Sequence, residues 1–261
     1  RLAVELVDSG WDVKHMLRLI VLSRAYRQSS AAPAELLRQD PLNALFARQA
    51  RYRVPAEMVR DTALAHGGLL VEKLGGPSAK PYQPAKYYRH LNFPEREYRA
   101  DKDANQWRRG AYVHWQRQFL HPAMKALDAP TREECTAQRP QSNTPVASLT
   151  LLNDPEFVEA ARGLAMRAIA EGGTEFDQRL TRAFRICLSR APTADERAVM
   201  ERLLAEHRTH YEASPDDAEA ALAVGLWKRD EKREPAATIE LASWAGVARA
   251  VLNASETFTR N

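Results

Sequence analysis

Apolar residues recur at helical spacing toward both ends of this sequence and lose that spacing in between. This restricts the chain to a helical fold interrupted by a long stretch of another kind. Val13, Met16, Leu17, Ile20 and Val21 share one face of a helix expected over 12–25. Asp40-Pro41 and Val54-Pro55 each put Pro at a first helical position, where no backbone N–H is needed. The helix from Pro55 is expected to stop at Gly67-Gly68. The same punctuation returns later. Thr144-Pro145 opens a short helix ending near Asn153, and Asp154-Pro155 opens a longer one with Phe157, Val158, Ala161, Leu164, Ala165, Ala168 and Ile169 on its face. Gly172-Gly173 closes it. Phe176, Leu180, Ala183, Phe184, Cys187 and Leu188 mark the next helix. Thr193 and Glu196 have the spacing of a capping box, opening a helix to about Tyr211. Ser214-Pro215 starts a short helix, residues 228–234 form a charged connector, and a last helix over 235–253 carries Leu241, Trp244, Ala248 and Val251.

From 72 to 109 the pattern is lost. Gly75, Gly76, Pro77, Pro81, Pro84 and Pro94 alternate with Tyr82, Tyr87, Tyr88, Phe93, Tyr98 and Trp107. Disordered segments are poor in aromatics, so this one is expected to be ordered against the core. A short strand over 111–116, a short helix over 122–127 and a polar segment over 131–143 follow. The fold class is mainly α: a helical domain with a long Pro/Gly/aromatic-rich loop insertion and at most a few short strands. Residues 1–261 are expected to form one continuous domain, helical over 1–71, irregular and loop-rich over 72–143, and helical over 144–261.

Charge narrows the function classes. The 261 residues carry 38 basic and 34 acidic side chains, a net charge of +4. The two signs alternate along the helices, whereas a nucleic-acid binder gathers its cations on one face. No apolar run approaches the roughly 18 residues that span a bilayer. The first residue is Arg, and 2–7 look like the end of a helix begun upstream, so the chain is expected to be a carboxy-terminal fragment of a larger multidomain protein. Cys135 and Cys187 form no Cys-x-x-Cys, haem-attachment or zinc pattern. They are read either as one long-range disulfide or as separate thiols, with Cys187 on an apolar helix face.

Several segments together carry a family likeness. They are Gly10-Trp11-Asp12-Val13-Lys14-His15, Tyr26-Arg27-Gln28-Ser29-Ser30, Leu74-Gly75-Gly76-Pro77-Ser78 and Lys80-Pro81-Tyr82-Gln83-Pro84. Further on come Arg108-Arg109-Gly110, Asp128-Ala129-Pro130, Arg132-Glu133-Glu134-Cys135-Thr136, Ser142-Asn143-Thr144-Pro145, Leu151-Leu152-Asn153-Asp154-Pro155 and Leu188-Ser189-Arg190-Ala191-Pro192-Thr193. In this order the chain resembles the carboxy-terminal domain of unknown function (domain of unknown function 1553) of planctomycete-type cytochrome c domain proteins. The resemblance implies a periplasmic or extracellular protein with further domains upstream, among them a c-type cytochrome. Any haem c would then reside upstream, with no cofactor in this chain. It also implies a setting in polysaccharide degradation and assigns no catalytic residue.

The candidate site lies between Arg109 and Asn153, which gathers His114, His121, Asp128 and several arginines. Arg109, Arg132 and Arg139, with Ser142, Asn143 and Thr144 at a helix start, suit an anionic sugar or a partner carboxylate. The plainer reading pairs these arginines with Asp128, Glu133, Glu134 or Asp154 and makes Asn143 or Thr144 an ordinary cap. Tyr82, Tyr87, Tyr88 and Trp107, with Tyr98, are candidates for stacking on sugar rings; otherwise they plug the space between helices. Cys135 is a candidate thiol beside charged residues. Gly75-Gly76-Pro77-Ser78 lacks the Lys-Ser/Thr ending of a phosphate loop and reads as a turn. His207 and His210 share a helix face without completing a metal set, and no metal is expected. Two functions remain open: a domain assisting a redox reaction on carbohydrate or another extracellular substrate, and a non-catalytic carbohydrate-binding or scaffolding module. A cytoplasmic helical adaptor would leave the ordered aromatic loop without a role.

Overall fold

The computed structural model describes residues 1–88, 97–117, 119–227 and 234–260. Phe93 and Pro94 of the aromatic stretch, and 228–233 of the charged connector, lie outside these. The fold is mainly α, about 55% helical, with a two-stranded sheet. By its contacts the chain divides into two units, one of residues 1–53 with 259–261 and one of residues 54–258.

The smaller unit holds α1 (Leu2–Asp8), α2 (Val13–Val21) and α3 (Ala34–Gln39). Strand β1 (Tyr52–Arg53) pairs antiparallel with β2 (Thr259–Arg260). Helix α2 starts where Asp12 accepts from the backbone N–H of His15. It stops at Val21, short of the expected Ala25, and beyond it the Ser23 hydroxyl accepts from the Tyr26 N–H. That local bond offers the backbone an alternative to another helical turn. The helix expected from Pro41 does not form. Asp40 instead ends α3, and its carboxylate accepts from the N–H groups of Ala44 and Leu45 at 2.8 and 2.9 Å, fixing a turn. Asp40 is the one buried residue among those described in this unit, while Trp11, Leu17 and Leu22 stay exposed. A unit this short encloses little apolar volume.

The larger unit contains α4 (Ala56–His66), α5 (Pro122–Ala126), α6 (Pro145–Asn153), α7 (Pro155–Glu171), α8 (Phe176–Leu188), α9 (Ala194–Ala213), α10 (Pro215–Leu222), α11 (Pro235–Leu252) and α12 (Ser255–Phe258). Most start as the sequence signals: Pro is the first residue of α5, α6, α7, α10 and α11, and the Thr193–Glu196 capping box opens α9. The core lies around α7 and α11, with Leu164, Ala165, Ala168, Trp244, Val247 and Val251 fully enclosed. The strand expected over 111–116 is replaced by a 3-10 turn (Gly110–Tyr112) and a single parallel bridge between Val113 and Ala79. A strand needs a ladder partner, and here only Ala79 supplies one, through bonds of 2.7 Å to Tyr112 and His114.

The crossing of α4 over α7 is close because its contact residues are small. A Cβ on Gly163 would lie 2.2 Å from the Gly67 carbonyl oxygen, and one on Gly67 would lie 2.6 Å from that of Ala160. Both obstacles are backbone, so no side-chain rotation relieves them. Gly163→Ala is expected to destabilise the protein by about 1–3 kcal/mol through overpacking, read as a lower urea midpoint. An unchanged midpoint would show that the crossing tolerates a wider separation.

Candidate functional site

The loops between α4 and α6 are held to the helices by buried charge. Arg60 sits on the inward face of α4 beside Val59 and Ala63, and both it and Glu156 of α7 are 2% exposed. Arg60 Nε and Nη2 donate to the two carboxylate oxygens of Glu156 at 3.0 and 2.7 Å. Nη1 donates to the Arg108 carbonyl and Nη2 to the Gln106 carbonyl, both at 2.6 Å. Burial alone would lower the Arg60 pKa, but the charge and hydrogen bonds of Glu156, with Asp61 and Asp154 nearby, raise it, so the guanidinium stays charged. Glu156 is the second residue of α7, where the helix dipole favours an anion.

Arg108 repeats the device one layer out. Its guanidinium donates to the carbonyls of Lys73, Gly75 and Pro77 and lies 4.0 Å from the Tyr112 ring centroid. This clasps Gly75-Gly76-Pro77-Ser78 as a turn, with Gly75 and Gly76 at φ +71° and +87°. Next on α7, Glu159 accepts from Trp107 Nε1 at 2.9 Å and from the N–H groups of Leu226 and Trp227. Arg162 donates to the carbonyls of Leu222 and Trp227 and stacks on the Trp227 ring. Glu156, Glu159 and Arg162 thus follow one line of α7, each under 5% exposed.

Each residue singled out from the sequence has a defined place. Arg139 Nη1 donates to Glu57 at 2.9 Å, and Arg109 Nη2 donates to Glu72 at 2.9 Å. Both lie near the start of α4, because Gly110 packs on the Glu57 backbone and its N–H donates to Asp61. Arg132 stands 3.7 Å from the Trp115 ring centroid. The Ser142 N–H and hydroxyl both donate to Asp128, Asn143 is exposed, and Thr144 caps α6 by accepting from the Ala147 N–H. Tyr87 donates to the Leu120 carbonyl, while Tyr88 is buried edge-on between Tyr98 and Phe119. Tyr82 is half-buried and Trp107 is taken by Glu159. Cys135 and Cys187 are both free thiols. Cys135 is exposed; burial pushes the Cys187 thiol up to about 12, which keeps it protonated.

The buried layer itself escapes a reading by periodicity. Arg60, Arg108, Gln106, Glu156, Glu159 and Arg162 look like solvent-facing positions until tertiary packing is known. One signal was available: charged residues three apart, Glu156, Glu159 and Arg162, in a helix whose other residues are mostly apolar.

Two acids and two neutral groups border this layer. Asp154 caps α7 by accepting from the Glu156 N–H at 3.0 Å. Burial, then the neighbouring Glu156, pushes its carboxyl up to about 7. Burial also raises Asp61, against the pull of the Gly110 N–H and of Arg60 and Arg109. His121 Nε2 donates to the Tyr82 carbonyl at 2.6 Å, and burial lowers its pKa, so the ring is neutral. Its Nδ1 and the Gln106 amide nitrogen are buried without a protein partner. Tyr98 donates to the Pro81 carbonyl, and burial with nearby Glu156 raises its pKa, so it remains a phenol. Chemically, Asp154 is able to exchange a proton near neutrality. Among the described residues, no three His, Cys, Asp or Glu side chains gather as a cation site would need. No helix among them is long and apolar enough to cross a membrane.

Two expectations follow. Arg60→Met leaves Glu156 buried without its partner and is expected to lower stability by roughly 3–5 kcal/mol. Adding Glu156→Leu is expected to restore a good part of it, as a urea double-mutant cycle would show; simple additivity would mean the pair is not coupled. The second concerns pH. Folded Asp154 keeps its proton to about 7 whereas the unfolded carboxyl loses it near 3.8, so the folded state binds more protons in that window and stability falls as pH rises through it. His66 acts oppositely: burial and Arg167 lower it from 6.5 to about 4, so stability is lost as pH falls through that interval. Asp154→Asn retains a capping side chain. Its melting temperature is expected to match the parent near pH 4 and to exceed it increasingly toward pH 8; a constant offset would show that Asp154 does not titrate in this range.

Comparison with known proteins places the chain at the level of family alone. No curated protein and no solved structure matches the chain. A family model described as PSD1, protein of unknown function (DUF1553), matches residues 1–204, well over half of the sequence, and the chain therefore belongs to that family.

Proposed function

We propose that this chain is a non-catalytic binding module that offers a rigid loop surface to an anionic carbohydrate. It would serve a secreted or periplasmic multidomain protein that carries c-type haem in an upstream domain. One observation supports this reading above others. The buried guanidinium groups of Arg60 and Arg108 bind the carbonyls of Lys73, Gly75, Pro77, Gln106 and Arg108, so the loops are preorganised without regular structure. Preorganised loops lose little entropy on binding, which is how a scaffold earns affinity without chemistry. Arg109 and Arg139 stand near the start of α4, half-exposed on carboxylate partners, where sulfate or uronate groups can exchange with Glu72 and Glu57. The haem belongs to another domain on this reading, because Cys135 and Cys187 are separate thiols outside any Cys-x-x-Cys-His pattern.

A second reading, a domain taking part in oxidation of the sugar, draws on Asp154. Oxidising an alcohol needs a group to accept its proton, and a carboxyl titrating near 7 is suited to that. One experiment separates the two. The haem-bearing parent protein is titrated with neutral, uronic and sulfated oligosaccharides by calorimetry, while its visible spectrum is recorded. Binding of an acidic class that weakens at least tenfold in Arg139→Ala, with no spectral change, is the expected result. Haem reduction on addition of one sugar would favour the oxidative reading. Binding indifferent to Arg139 and Arg109, or no binding, would overturn the proposed site.

A further inference from the structure

A groove of about 410 Å³ opens on the larger unit, walled by α6, α7, α9, α10 and α11. That volume falls within the range of small-ligand pockets. Its floor is made of small residues, among them Ala161, Ala242 and Gly246. A Cβ on Gly246 would approach His207 Nε2 to 2.3 Å, so the glycine leaves room for the ring where it stands. One wall is the His207 ring stacked on Tyr211, with centroids 5.8 Å apart and planes at 11°. Burial and the nearby charge of Arg249 lower the His207 pKa, so this wall is uncharged near neutrality.

Arg249 lies at the edge of the groove. Its Nη2 donates to the Asn153 side-chain oxygen at 3.0 Å, and its Nε is buried without a protein partner. No carboxylate among the described residues pairs with it, although most arginines of this unit have one. Glu240, earlier on the same helix, is already taken by Arg179 and Arg208. The groove therefore joins apolar and aromatic walls to a guanidinium that no carboxylate among the described residues holds.

We propose that this groove binds a small monocarboxylate with an aryl or branched alkyl body, its carboxylate on Arg249 and its body between the alanine floor and the His207–Tyr211 wall. A single cation balances a monoanion, and the planar fork of Arg matches a carboxylate. The alanine-lined floor excludes a hydroxyl-rich sugar, whose polar groups would lose water without replacement. This site is thus independent of the carbohydrate surface proposed above.

The test uses the intact chain, with 3-phenylpropionate and its neutral analogue 3-phenylpropionamide as probes, followed by ligand-observed NMR and calorimetry. For a ligand this small, a Kd of roughly millimolar is expected for the acid, with the amide at least about tenfold weaker. Arg249→Gln is expected to abolish that preference while leaving amide binding unchanged. Ala250→Phe, which fills the groove from a half-exposed position, is expected to remove binding of both with the melting temperature preserved. This second variant decides the matter if Arg249→Gln proves unstable. Equal affinity for acid and amide, no binding of either, or binding that survives Ala250→Phe in a folded protein would each overturn the proposal.

Discussion

The guanidinium of Arg60 joins three parts of the chain that are distant in sequence: α4, the N-terminus of α7 and the loop around Gln106–Arg108. Around it the larger unit divides into a helical core on one side and an irregular layer on the other. A buried ion pair of this kind adds little net stability compared with apolar residues of the same shape, because both charges have given up water. Its effect lies in selection. Any loop arrangement that fails to bring the Gln106 and Arg108 carbonyls to Arg60 leaves a buried cation short of acceptors, which is far costlier than a lost apolar contact. Loop segments around Gln106–Arg108 that lack a ladder of their own are thereby held at these carbonyls.

The same logic accounts for the series along α7. Glu156 holds Arg60, Glu159 gathers an indole and two backbone N–H groups, and Arg162 takes two carbonyls. One helix thus satisfies the polar backbone of segments on two flanks while its other face packs against α11. Close approach of α4, permitted by Gly67 and Gly163, brings Arg60 within reach of Glu156. The smaller unit has no comparable centre. Asp40 orders one turn there, and its helices leave their apolar residues exposed.

Much of the helical architecture was legible in the sequence because its signals are local. Proline at a first helical position, the Thr193–Glu196 box, and glycine after α4 and α7 each act within a turn of their own position. Structure departs from the local signals where a side chain has a competing local partner or where a distant one is needed. Asp40 captured turn amides in place of opening a helix, and 111–116 lacked a strand to pair with. The candidate arginines are visible as residues, but not their partners: Glu57 and Glu72 lie outside the 109–153 segment, and only folding carries them to Arg139 and Arg109.

The sequence by itself determined a mainly helical chain with an ordered aromatic loop region, the start of most helices, and membership of a family, since these depend on residue type and short spacing. Tertiary structure alone decided which charges are buried. Arg60, Glu156, Glu159 and Arg162 carry the same formal charges as their surface counterparts, and periodicity cannot tell a solvated arginine from one enclosed among carbonyls. It also decided that Asp154 holds its proton to about 7 and that Arg249, beside an apolar groove, has no carboxylate partner among the described residues. Both properties arise from what surrounds a group in space: Arg60 of α4 lies near Asp154, and Asn153 and His207 lie near Arg249.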